Sequence, residues 1–366
     1  MAETRLPVIV LTGFLGSGKT TLLNRLLRNP AWERTAVLVN EFGEIGLDQD
    51  FLENVEDKTV LLDSGCICCS LGDSWVETLV GMLNRARRGA MPSFKRVVIE
   101  TTGLADPSPL LAALQNDARL NTSFAPATTL VTVDCFYGMQ QLDEHFESAR
   151  QLAQADCIVM TKKSLVTPAD FALLKKRIRV LNPHARITEA DNTITPQTLT
   201  VDGRTADEWI RASEAAFADH LTHDYNEATS NGTKTAVAHP PDRRVRSHSF
   251  IVDEPLDWEL VSHWLGTLAY FHGKKILRIK GVVWLPEEGQ MLAIHGVQGL
   301  LHEPTQLTTW RSGDRRSRFV FITSDLGRDV IEKALSHARR DKETEVVRDG
   351  YEVPSKGIQG VQHAFQ

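Results

Sequence analysis

Gly13-Phe14-Leu15-Gly16-Ser17-Gly18-Lys19-Thr20 fits the pattern G-x-x-x-x-G-K-[ST] without a mismatch. At average residue frequencies, such a match arises by chance in roughly one chain in a hundred of this length. An apolar strand pattern over residues 8–11 leads into it, and a helical pattern leads out. Glycines there let backbone N–H groups converge on phosphate without side-chain obstruction, at the positive end of the following helix. Lys19 supplies a point charge for the β/γ-phosphates, and Thr20 places a hydroxyl on Mg²⁺. Gly13, Gly16, Ser17, Gly18, Lys19, Thr20 and Thr21 are therefore the candidate nucleotide-binding residues of the loop.

Outward from the loop, strand-like and helix-like stretches alternate. Residues 7–12, 36–39, 59–62, 96–100, 128–134 and 156–160 read as strands rich in Val, Ile and Leu on both faces. Helical patterns fall at 19–27, 74–87, 107–114, 147–153 and 168–181. Buried parallel strands joined by right-handed crossovers give this signature, so the expected fold is an α/β P-loop domain with a mostly parallel sheet. A polar stretch with Pro240-Pro241 reads as a linker, and the strand and helix patterns beyond it suggest a small C-terminal α+β domain. The expected boundaries are 1–219, a linker at 220–245, a second domain at 246–338 and a charged, loosely ordered tail at 339–366. The expected second-domain strands are 246–252, 275–283, 290–297 and 318–322, with helices at 257–268 and 326–338. His220, His223, His239 and His248 sit in or beside the linker, where scattered solvated histidines are the favoured reading over metal hand-off.

A phosphate loop needs an acidic partner from a neighbouring strand end to support Mg²⁺ or its water. Val97-Val98-Ile99-Glu100-Thr101-Thr102-Gly103 offers Glu100, making Thr20 and Glu100 the candidate Mg²⁺ pair. A glycine where Gly103 stands can bond a γ-phosphate and move when it leaves. Lys19, Glu100 and Gly103 form the candidate catalytic set.

Three of the five cysteines, Cys66, Cys68 and Cys69, fall within four positions. Disulfide geometry is demanding at such separations. Three thiolates can instead converge on one soft cation, which deprotonates them and offsets their repulsion. They leave a tetrahedral ion one ligand short. Zn²⁺ is the first expectation, with Co²⁺ or Fe²⁺ behind it, and a redox-active dithiol is the rival. Asn40-Glu41-Phe42-Gly43-Glu44-Ile45-Gly46-Leu47-Asp48 can supply a carboxylate and reads equally as a solvated acidic loop. Cys135 and Cys157 sit singly in apolar runs and read as core packing.

The 366 residues carry a net charge of −6, which gives no electrostatic reason to expect a nucleic-acid partner. No apolar run approaches the ~20 residues that span a bilayer. The N-terminal residues lack the layout of a secretion signal, so no membrane and a cytoplasmic location are expected.

Four elements, in order, resemble the CobW-type metal-chaperone P-loop GTPases: the run from Thr12 to Leu23, Asn40-Glu41-Phe42-Gly43-Glu44, Gly65-Cys66-Ile67-Cys68-Cys69, and Glu100-Thr101-Thr102-Gly103-Leu104-Ala105-Asp106-Pro107. The stretch Ile276-Leu277-Arg278-Ile279-Lys280-Gly281-Val282-Val283-Trp284 is similar to that family's smaller C-terminal domain. The resemblance implies a GTPase that cycles between GTP and GDP and delivers zinc or a related metal to a client apo-metalloenzyme. It implies Glu44 as a metal ligand beside Cys66, Cys68 and Cys69, and Thr161 and Lys162 as base-side nucleotide contacts. A nucleotide-dependent homodimer is a further expected partner state. Two other classes stay open: a P-loop small-molecule kinase, and a metal-storage or activator protein whose hydrolysis is incidental.

Ser164 departs from the family's [NT]-K-x-D element, in which the carboxylate accepts the guanine N–H groups. Losing such a paired contact costs about 1–3 kcal/mol, roughly ten- to a hundredfold in affinity. The protein is therefore expected to prefer GTP over ATP less sharply than relatives that keep the aspartate, and Ser164→Asp to sharpen the preference by tightening GTP. Competition binding with GTP, ATP and inosine triphosphate checks this. Strong discrimination that Ser164→Asp leaves unmoved would locate base reading elsewhere.

Overall fold

The computed structural model describes residues 5–39, 60–63, 73–125, 127–190, 194–199, 244–287, 289–297, 299–307 and 315–348. Among them, the first sheet holds seven strands: β1 (Val8–Gly13), β2 (Thr35–Val39), β3 (Val60–Asp63), β4 (Arg96–Glu100), β5 (Thr128–Asp134), β6 (Cys157–Thr161) and β7 (Arg186–Glu189). All their pairings are parallel, in the order β3-β2-β4-β1-β5-β6-β7. After β1 the chain fills one side of the sheet, then crosses to the other. β1 thus lies beside the point where strand order reverses, which is where open α/β sheets form a crevice at their carboxyl ends.

Eight helices accompany this sheet among the described residues: α1 (Lys19–Leu27), α2 (Asp73–Arg87), α3 (Ser108–Asn116), α4 (Ala118–Asn121), α5 (Gly138–Glu144), α6 (Phe146–Ala153), α7 (Pro168–Leu181) and α8 (Pro196–Leu199). Val8 and Val10 pack with Trp75 and Leu79 of α2 on one face. Ile9 and Leu11 pack with Leu22, Leu23 and Leu26 of α1 on the other. Burial on both faces is why the strands read as unbroken apolar runs. In α7 the Thr167 hydroxyl accepts from the Asp170 N–H, Pro168 takes the first position, and Leu174, Ile178 and Leu181 line the buried face. The sequence reading does not anticipate β7, α4, α5 or α8. Each spans seven residues or fewer, too short to display a clear period.

The second domain comprises β8 (Val245–Val252), α9 (Trp258–His272), β9 (Ile276–Leu285), β10 (Gln290–Val297), β11 (Leu300–Leu301), β12 (Thr305–Gln306), β13 (Ser317–Ser324) and α10 (Arg328–Arg348). Its antiparallel sheet runs β11-β10-β9-β13-β8, with β12 paired to β10. One face packs Phe319 and Phe321 against Val261 and Trp264 of α9 and Ile331 of α10. The other packs Val245, Leu277, Val320 and Ile322 into one core with Leu152, Leu174 and Ile178 of the first domain.

One expectation is corrected here. α10 runs to Arg348, through residues read as the start of a loose tail. No Gly or Pro interrupts 328–348, and the Lys333–Asp329 and Arg328–Glu332 pairs carry its charges at helical spacing. His248 lies in β8, within the strand expected at 246–252, and its Nε2 lies 3.2 Å from Thr323 Oγ1 and 3.1 Å from the Leu326 carbonyl oxygen. Cys135 and Cys157 are buried free thiols, as expected. Among the described residues, no helix is long and apolar enough to cross a membrane.

A buried charge cluster joins the domains. Asp156, just before β6, accepts from Arg278 and, at 3.2 Å, from Lys280, both on β9. Its other carboxylate oxygen accepts from the Thr129 N–H at 3.0 Å. Burial pushes the Asp156 carboxyl up, but Arg278 and Lys280 outweigh it and hold it below the usual carboxylate range. A depressed folded-state pKa contributes stability that is complete above the unfolded value near 3.9 and is lost progressively as pH falls from there towards the lower folded one. Removing one cation from a buried cluster leaves its carboxylate with Lys280 alone for charge compensation, so Arg278→Met should destabilise the chain at neutral pH by up to roughly 3–5 kcal/mol. Urea unfolding at pH 7 and pH 3 checks it, and the deficit should be smaller at pH 3, where protonation relieves the Asp156 carboxylate of the variant.

Candidate functional site

The loop between β1 and α1 turns through three glycines at positive φ: Gly13 at 142°, Gly16 at 71° and Gly18 at 88°. At Gly13 a Cβ would meet Thr132 Oγ1 at 2.4 Å and the Thr132 carbonyl oxygen at 2.5 Å. Gly18 occupies the N-cap of α1, where it provides no side-chain cap, and the first turn holds no acidic residue. The positive end of α1 therefore faces the crevice with its first N–H groups uncapped by side chains.

Neighbouring strand ends brace this loop. Ser17 Oγ lies 2.6 Å from Thr132 Oγ1 of β5. The Thr161 hydroxyl, at the end of β6, donates to the Ser17 carbonyl at 2.8 Å. Lys162 Nζ donates to the Gly16 carbonyl at 2.8 Å and to Asp134 Oδ2 at 2.7 Å. Phe14 stacks on His145, ring centroids 4.6 Å apart. Lys19 Nζ curls back to the Gly13 and Phe14 carbonyls at 3.0 and 3.3 Å. Thr21 is exposed beside them.

Thr20 Oγ1 donates to Glu100 Oε1 at 2.7 Å. Two hard oxygen donors so close suit Mg²⁺, which takes few protein ligands and keeps several waters. Beyond Glu100, Gly103 lies against the loop: a Cβ there would meet the Leu15 N and Cα, both at 2.8 Å. The structure thus brings Gly13, Gly16, Ser17, Gly18, Lys19, Thr20, Glu100, Gly103, Thr161 and Lys162 to one edge of the sheet. Ser164 lies exposed in the short turn Lys163–Leu165 that follows.

Cys66, Cys68, Cys69, Glu41, Glu44 and Asp48 lie outside the described residues, as do His220, His223 and His239. The strands that lead towards those carboxylates and cysteines are described. Glu100 pairs in register with Val39 at the end of β2, and Val39 pairs with Asp63 at the end of β3. Sequence reasoning missed Thr132 and Asp134 as braces, because both sit inside an apolar strand pattern and their partners are far away in sequence.

A family model described as CobW/HypB/UreG, nucleotide-binding domain, matches residues 7–189. The chain belongs to the CobW/HypB/UreG family. The CobW identity extends past the first domain, since the cobalamin synthesis protein cobW C-terminal domain matches residues 245–339. This CobW-type P-loop GTPase is 28% identical over 335 residues to the zinc chaperone YjiA of Escherichia coli, covering 91% of this chain and 98% of that protein. It is 29% identical over 369 residues to the zinc chaperone CobW of Pseudomonas aeruginosa, covering 91% and 92%. The solved structure of Zn(II)-bound YjiA GTPase from E. coli shares the fold, with a TM-score of 0.64 at 23% identity over 92% of this chain and 99% of that one.

A methyl group at Gly103 would meet the Leu15 side chain at 2.7 Å and the Leu15 backbone N and Cα at 2.8 Å, and the backbone atoms cannot swing aside as a side chain can. Gly103→Ala should push the segment after β4 off the loop and lower GTP turnover by about ten- to a hundredfold. Phosphate release measured beside GDP affinity checks this, with GDP affinity expected to change little.

Proposed function

We propose that this protein hydrolyses GTP and uses the cycle to pass zinc, or a related metal such as Co²⁺ or Fe²⁺, to a client apo-metalloenzyme. The carrying observation is the row Asp63, Val39, Glu100 and Leu11, aligned across adjacent strands at the carboxyl edge. The chain leaves Val39 towards Glu44 and leaves Asp63 towards Cys66, Cys68 and Cys69. Both departures lie on one side of the strand whose Glu100 accepts from Thr20, one from the adjacent strand and one from the next strand out. A metal on the thiolates and a phosphate on the loop would then bias one set of neighbouring segments. The zinc chaperones among its relatives support the choice of metal.

In this reading the uncapped N–H groups of α1 receive the phosphates, and Lys19 leaves the Gly13 and Phe14 carbonyls to meet their charge. Thr20 and Glu100 would hold Mg²⁺, which when bound neutralises charge on the β- and γ-phosphate oxygens. Thr161 and Lys162 hold the loop from the base side. Gly103 lies near enough to feel whether the terminal phosphate is present. Positioning and charge stabilisation are the catalytic resources, as in other phosphoryl-transfer sites.

Lys19→Ala should lower phosphate release by at least about a hundredfold while one tight metal per chain still binds. With Co²⁺ as probe, a sulfur-to-metal charge-transfer band should appear and vanish when Cys68 and Cys69 are both changed to Ser. Metal affinity should differ between the GTP-analogue and GDP forms, and nucleotide affinity should shift by the same factor when metal is added. Superimposable metal titrations would remove the switch. A phosphorylated small molecule in place of free phosphate would favour a kinase.

A further inference from the structure

Helix α6 grips the segment that follows Glu100 at several points. Gln151, 1% exposed, donates from its amide nitrogen to the Gly103 carbonyl at 3.1 Å and to the Ala105 carbonyl at 3.0 Å. Its amide oxygen accepts no hydrogen bond from the described residues. The amide therefore serves as a two-pronged donor, and flipping it would face oxygen with oxygen. One turn along, Gln154 donates to Asp106 Oδ1 at 3.0 Å and accepts from the Ser108 hydroxyl at 2.7 Å. Arg150 meets the other Asp106 oxygen at 2.9 Å. Asp106 and Ser108 are thus held through their own side chains. Gly103 has none, so its backbone orientation must be set from outside. Gln151 is the side chain that reaches its carbonyl.

We propose that Gln151 is a positioning residue for GTP hydrolysis: it sets the geometry of Gly103 against Leu15 of the phosphate loop without itself touching nucleotide. The proposal rests on the reading of Gly103 as the part of the site that responds to the terminal phosphate. Nucleotide affinity is read as residing in the loop, Lys19 and Thr20, whereas the hydrogen bonds of Gln151 go to the Gly103 and Ala105 carbonyls. Its loss should therefore act on turnover and spare binding. A purely structural hydrogen bond would lower the unfolding temperature and leave turnover of the folded protein alone.

The test uses the full chain with Mg²⁺ and GTP and two variants. Gln151→Met keeps the length and removes the donors. Gln151→Glu keeps the shape and turns the donor into a carboxylate facing two carbonyls. Steady-state phosphate release, GDP binding and thermal unfolding are measured on each. Both variants should lose about ten- to a hundredfold in kcat, the range expected when reacting groups are misplaced by about an ångström. KM for GTP and Kd for GDP should stay within about twofold of the parent, since a uniform binding term is untouched. Unchanged kcat in a variant that binds GDP normally would overturn the proposal. Parallel loss of kcat and GDP binding in both variants would also overturn it, by showing collapse of the site. Lys19→Ala, run alongside, separates the two levels. If it retains full turnover, the reading of the site itself fails. If it is inactive while Gln151→Met is fully active, the positioning role alone fails.

Discussion

A chain that must present bare peptide N–H groups to one point can carry no side chains on its inner surface, and the turn from β1 into α1 meets that constraint with three glycines at positive φ. Such a turn has no side-chain packing of its own, so its shape depends on what surrounds it. Thr132, Thr161, Lys162 and His145 supply that support from the ends of β5 and β6 and from the start of α6. Thr161 and Lys162 each donate to a loop carbonyl, so a substitution in either would loosen the loop. The loop is held in shape before any nucleotide arrives, which spares the ordering cost at the moment of binding.

Much of this was readable from the residues in order. The loop match located β1 and α1, and both-face apolar runs located the other long strands, because parallel strands under two helical layers have nowhere to put polar side chains. Glu100 was legible as a strand-terminal carboxylate, and its bond to Thr20 follows from β4 lying beside β1 in register. What stayed hidden was whatever depends on long-range partners. Asp156 looks out of place at the head of an apolar strand until Arg278 and Lys280 arrive from the second domain. Gln151 sits in a helix pattern as one more polar residue, and its targets are backbone carbonyls, which leave no trace in a sequence. Charge misled the reading of residues 339–348, where helix formers without a breaker extend α10.

Gln151, Gln154 and the Asp156–Arg278 pair fall within six positions of one another on the first-domain side. The Gln154 carbonyl itself accepts from Arg278. The same stretch of chain therefore borders the segment after Glu100 at one end and the second domain at the other. The second domain meets the first along α6, from Phe146 to the start of β6, and also at α7 and the end of α3.

The core that contains Leu152, Leu174 and Ile178 also contains Val245, Leu277, Val320 and Ile322, so the two domains share an interior rather than touching at their surfaces. Among the described residues, what keeps them together is that interior and the charges sealed inside it. A single cut between Leu199 and Arg244 would leave two fragments still bound, running as one species on a sizing column. The halves made separately would each bare an apolar face, and the first would also expose Asp156 without its cations. Such halves are natural complementation partners: each insoluble alone, soluble when made together.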